Sequence, residues 1–115
     1  LHRRLHPRPV RRQVVHGHPT TICDALMAPT PGAITFAINR QILSAGITVT
    51  DAQAGHAMAF AARYLRLVLE PSGGVALAAV LNGSAAEHDC VGLVLSGGNV
   101  DTNIFMDVLA DHPDP

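Results

Sequence analysis

Apolar and polar positions divide the chain into an irregular start and a body in which helical and extended spacings alternate. After the turn cluster Pro29-Thr-Pro-Gly32, residues Ile34, Ala37, Ile38 and Ile42 recur at helical spacing and predict a helix that breaks before Gly46. Gly46-Ile-Thr-Val-Thr50 reads as a short strand. Thr50 or Asp51 then makes a good N-cap. Ala54, Ala57, Met58, Ala61, Tyr64 and Leu65 follow on one stripe, with His56, Arg63 and Arg66 off it. Leu67-Val-Leu69 is a minimal strand running into Glu70-Pro-Ser-Gly-Gly74, read as a loop, and Val75 to Leu81 is an Ala-rich helix closed by Asn82-Gly83. Val91 to Leu95 has the apolar run of a strand covered on both faces and stops at Ser96-Gly-Gly-Asn99. Thr102 to Ala110 is a short helix with Ile104, Phe105, Val108 and Leu109 on one face. Strand and helix in alternation predict an α/β fold with a partial parallel sheet.

Two glycine loops, Glu70–Gly74 and Ser96–Asn99, thus follow strands and precede helices. If the strands are neighbours, the loops share one mouth of the sheet, where a flat ligand can approach the backbone closely. A tight strand-to-helix turn is the plainer reading of Ser-Gly-Gly-Asn. Met58 and Phe60 sit at core spacing.

Composition narrows the chemistry. The 115 residues allow one small domain, 48% hydrophobic and 15% charged, with aromatics at only 3%, so its core is built of small side chains and is thin. Net charge is -1, but Arg3, Arg4, Arg8, Arg11 and Arg12 all precede the first acid, Asp24; from residue 13 onward three arginines face nine acids, a formal net of -6. Residues 1–19, with three prolines and four histidines, read as a basic, disordered arm; 20–110 read as the domain and 111–115 as a tail. Clustered arginines suit phosphate, but without interleaved aromatics or a nucleic-acid fold the arm argues against nucleic acid as partner. His16, His18 and Cys23 have no fourth ligand at metal spacing, and no metal site is expected. Cys23 and Cys90 lack CxxC spacing and read as buried, reduced thiols of a cytoplasmic protein. No apolar run reaches the roughly 18 residues of a membrane helix. An opening Leu in place of Met suggests a lost beginning. Above all, the chain has no lysine, so Schiff-base chemistry on a side-chain amine is closed to it.

The string Val68-Leu-Glu-Pro-Ser-Gly-Gly-Val-Ala-Leu-Ala-Ala-Val-Leu81, followed by Val94-Leu-Ser-Gly-Gly-Asn-Val-Asp101, resembles the C-terminal part of threonine and serine dehydratases, which are fold-type II pyridoxal-phosphate (PLP) enzymes related to the tryptophan synthase β chain. Thr21-Ile-Cys-Asp-Ala-Leu26 is similar to the segment preceding those motifs, and the resemblance spans roughly residues 20 to 109. It implies that Ser96 hydrogen-bonds the pyridine nitrogen of PLP, with Gly97 and Asn99 beside it. A neutral hydroxyl there makes a weaker electron sink than a carboxylate would and suits β-elimination. It also implies that Glu70 borders the pocket, although an acid before Pro-Ser-Gly serves equally as a helix N-terminal cap.

The family's Schiff-base lysine, phosphate loops and substrate-carboxylate loop lie upstream of anything matched. The chain therefore has no catalytic residue of its own to name. It resembles a C-terminal fragment of a threonine ammonia-lyase acting on a small amino acid. The alternatives are a non-catalytic module pairing with an intact dehydratase subunit, and relatives with racemase or β-hydroxyaspartate dehydratase activity. Homo-oligomers are common in the family. Its strands complete a sheet whose other members come from upstream, so this portion alone leaves an edge and an apolar face open.

Overall fold

The computed structural model describes Arg8–Pro9 and residues 13–113; the rest of the basic arm's first twelve residues, and the tail's Asp114 and Pro115, lie outside the described residues. Its elements are β1 (Arg8–Pro9), α1 (Ala33–Ile42), β2 (Ala45–Gly46), α2 (Asp51–Phe60), α3 (Pro71–Leu81) and α4 (Thr102–Asp111), with a 3-10 turn at Asp24–Leu26.

Helix α2 starts as its sequence demands. The Thr50 side chain accepts from the Gln53 amide at 3.2 Å, and the Gln53 side chain accepts from the Thr50 amide at 2.8 Å, closing a reciprocal capping box. Ala54, Ala57, Met58 and Ala61 are buried as the stripe predicts. Tyr64 and Leu65 are not: beyond Phe60 the chain widens into a π-helical turn over Ala61–Leu65, which rotates the stripe out of register and leaves Tyr64 57% exposed. Arg66, in the left-handed region at φ 58°, then ends the helix.

Helix α2 packs chiefly on α3. Small residues allow the approach, because the Cβ that Gly74 lacks would already be in van der Waals contact with Met58 and Ala57. Ala57, Met58, Ala61, Leu69, Leu77 and Ala78 form the core, with Leu95, Phe105 and Val108 packed against it. Among the described residues Met58 is the one large side chain fully removed from solvent, which bears out the expectation of a thin core.

Helix α4 is capped at both ends. Asp101 accepts from the Asn103 amide at 2.8 Å. At the other end the Arg63 guanidinium donates to the carbonyls of Leu109, at 2.8 Å, and His112, satisfying orphan acceptors where the helix dipole is negative. Arg63→Met should therefore lower stability by about 1–2 kcal/mol and loosen α4 before the rest. Amide exchange over residues 102–112 checks this, and an unchanged exchange pattern would show that the contact contributes nothing.

The three expected strands form differently. Among the described residues the sheet is a two-stranded antiparallel pair, Arg8 opposite Gly46 and Pro9 opposite Ala45. Residues 67–69 and 91–95 run without ladder partners. A strand is a property of a pair, and the neighbours these segments would need are not supplied by this chain. The Glu70–Gly74 loop is also shorter than expected: Pro71 to Gly74 are already the first turn of α3, with Pro71 at a position where its missing N–H costs nothing. The Asn82-Gly83 stop is as predicted, with Gly83 at φ 83°.

Candidate functional site

The turn at Glu70–Gly73 and the turn at Ser96–Gly98 meet face to face. The Glu70 amide donates to the Gly97 carbonyl at 3.1 Å. A side chain at Gly73 has no room: a Cβ built there falls on the carbonyl oxygen of Ser96 and lies 2.7 Å from that of Gly97. Gly97 has φ 77°, and its missing Cβ is the place that the Glu70 carboxylate covers. On the far side, a Cβ at Gly98 would sit 2.9 Å from the Val68 carbonyl oxygen. The glycines are thus required by backbone packing between the two turns, whatever else they admit.

Three of the expected site residues, Ser96, Gly97 and Glu70, are brought together, and Asn99 follows on the same exposed loop. Ser96 is exposed, and its hydroxyl has no hydrogen-bond partner among the described residues. Glu70 occupies the N-cap position of α3, but its side chain makes no capping hydrogen bond; the carboxylate turns to Gly97 instead. The two readings of this residue therefore divide: the backbone takes the cap position, and the carboxylate faces the Ser96–Gly97 turn.

The Thr21–Leu26 segment is tied to the same end of the helices. Thr21 Oγ1 donates to Asp51 Oδ1, the Ile22 amide donates to Asp51 Oδ2 at 3.3 Å, and the Ala25 amide donates to Ser72 Oγ at 3.2 Å. Sequence reading missed Asp51 and Ser72 as anchors, since their partners lie 29 or more residues away. Cys23 is buried here. Burial pushes its thiol above the usual range, with Asp51 and Asp24 adding to the rise and a hydrogen bond with Thr21 opposing it. Cys90, expected to be buried, is exposed, because the segment it opens has no sheet to enter. His16 and His18 are exposed and stand apart from any metal-sized cluster among the described residues.

Ser96's free hydroxyl and the backbone-built mouth beside Glu70 suit one edge of a flat, nitrogen-bearing ring. The donor set fits that edge of PLP and no more, since the chain has no lysine for covalent attachment.

A mouth of this kind, between glycine turns at the ends of extended segments, defines a small-molecule site of the α/β class. The family described as pyridoxal-phosphate dependent enzyme matches residues 2–97, and the chain belongs to it. The match begins within the basic arm. L-threonine ammonia-lyase of Thermotoga maritima is 32% identical over 95 residues, covering 83% of this chain and 23% of that protein. Serine racemase of Dictyostelium discoideum is 33% identical, covering 81% and 29%. A crystal structure of T.th. threonine deaminase superposes with a TM-score of 0.70 at 31% identity, over 77% of this chain and 32% of that one. The fold is therefore that of part of a fold-type II PLP enzyme chain, and the chain spans about a quarter to a third of these proteins' length.

Proposed function

We propose that this chain is the C-terminal part of a PLP-dependent hydroxyamino-acid ammonia-lyase and forms the pyridine-nitrogen side of its cofactor site. The observation that carries the reading is the joining of the Glu70 and Ser96 turns through the Glu70 amide and the Gly97 carbonyl, which leaves the Ser96 hydroxyl exposed at the mouth. Ser96 Oγ donates to the ring nitrogen, Gly97 and Gly98 keep the loop flat enough for close approach, and Asn99 lies beside it. Glu70 packs on Gly97 and fixes the loop's height. When bound, PLP supplies the electron sink for labilising bonds at the α-carbon of an amino acid. A hydroxyl partner leaves that sink moderate, which suits loss of the β-hydroxyl of L-threonine or L-serine to give a 2-oxo acid and ammonia. The relatives' names favour this substrate class, with racemisation and β-hydroxyaspartate as neighbouring chemistries. Covalent attachment falls to a lysine this chain does not carry, so catalysis needs residues beyond these 115.

The test is a PLP titration of the 115-residue chain, followed by cofactor absorbance and by borohydride reduction. Reversible binding that weakens about three- to tenfold in Ser96→Ala is the expected result. Equal binding by wild type and Ser96→Ala would remove Ser96 from the site. Borohydride trapping on a side chain, or ammonia release from threonine by this chain alone, would overturn the dependence on an outside lysine.

A further inference from the structure

Beside α3, away from the glycine turns, lies an apolar cavity of about 330 Å³. Two periodicities build its walls. Ala45, Ile47 and Val49 enter it at every second residue, as one face of an extended segment; Val75, Ala79 and Val80 enter from one side of α3. Val91 closes the rim at the start of the other extended segment.

The size falls at the lower end of small-molecule sites, roughly 300–1,000 Å³, but such sites carry polar groups that orient a ligand, and the side chains lining this cavity are all apolar. The polar groups at its margin are main-chain ones: among the described residues Val91 to Leu95 make no backbone hydrogen bond to another segment. A lipid or small apolar molecule would leave those groups unmet. An extended polypeptide satisfies both demands, filling the floor with alternate side chains and pairing with the open edge. The solved threonine deaminase chain that superposes here has about two-thirds of its length outside the match, so the family carries much chain to cover such a face.

We infer that the cavity between the 45–49 segment, α3 and Val91 is the docking groove for one β-strand donated by a second polypeptide that carries the remainder of this family's fold. The inference rests on family membership and on the groove, and is independent of the role assigned to Ser96.

The experiment co-expresses the tagged 115-residue chain with Dictyostelium discoideum serine racemase from which the matched stretch has been deleted. Affinity capture and light scattering then measure stoichiometry. A one-to-one complex is expected, with recovery falling about tenfold or more in Ala79→Arg, which puts a charge on the groove floor. Ile34→Arg, on an α1 face that is 78% exposed, should leave recovery unchanged. Circular dichroism of each variant guards against simple unfolding, and Val91→Arg at the rim provides a second disruption should Ala79→Arg fail to fold. Ser96→Ala should not alter capture, so failure of the cofactor reading and failure of the groove are distinguishable. Equal capture of wild type and folded groove variants would overturn the inference. So would a homodimer dispersed by Ala79→Arg, which would make a second copy the occupant, or a folded wild-type chain that captures no partner.

Discussion

Gly73→Ala should unfold or severely destabilise the chain, by roughly 3 kcal/mol or more, the upper end of what overpacking costs. The added methyl meets the carbonyl oxygen of Ser96, with the Gly97 carbonyl directly behind it. These are backbone atoms, so no rotamer change relieves the clash. The two turns must separate, and the hydrogen bond from the Glu70 amide to the Gly97 carbonyl is then lost. Gly74→Ala is the matched control. Its methyl finds ordinary contact distances of 3.6–3.8 Å to Ala54, Met58 and Ala57, so it should be tolerated and can gain from helix propensity. Urea titration of both variants by circular dichroism checks the pair. Equal midpoints would mean that the turns are not held against each other in solution.

Met58→Ala should cost about 2–5 kcal/mol, the range for deleting a fully buried large side chain. The high end is expected here for a reason of composition. The neighbours are Ala57, Ala61, Ala78 and Leu77, and alanines have no side chain with which to close a cavity. In a domain whose total stability falls in the usual range of about 5–15 kcal/mol, such a loss takes a large fraction of it. A thermal melt reads it directly; a shift of only a degree or two would mean that Met58 is less central than its burial indicates.

The helices were legible because their causes are local. The Thr50–Gln53 box, the apolar spacing of α1 and α4 and the Asn82-Gly83 stop all lie within a few residues of what they specify. Pro71-Ser-Gly-Gly74 was misread as loop for a physical reason: two glycines in a first helical turn are unfavourable by propensity, and their justification is the Ser96 carbonyl arriving from a distant segment. The strands at 67–69 and 91–95 carry the apolar signature but no partner, and a pattern within one segment cannot report whether its neighbour is present. The site was legible as two glycine motifs, and the structure brings Glu70, Ser96 and Gly97 together. Arg63's hold on α4, Asp51's on Thr21 and the exposure of Cys90 depend on tertiary placement and had no signal along the chain.

The mouth is joined main chain to main chain: an amide of one turn, carbonyls of the other, and glycines where side chains would intrude. Such a joint is indifferent to most substitutions around it, since no neighbouring side chain supplies its geometry. That suggests how about two-thirds of aligned positions can differ between this chain and the threonine deaminase while the backbones still superpose at a TM-score of 0.70. A site framed this way can drift widely in sequence and keep its shape, provided that a few hydrogen atoms stay where carbons would not fit.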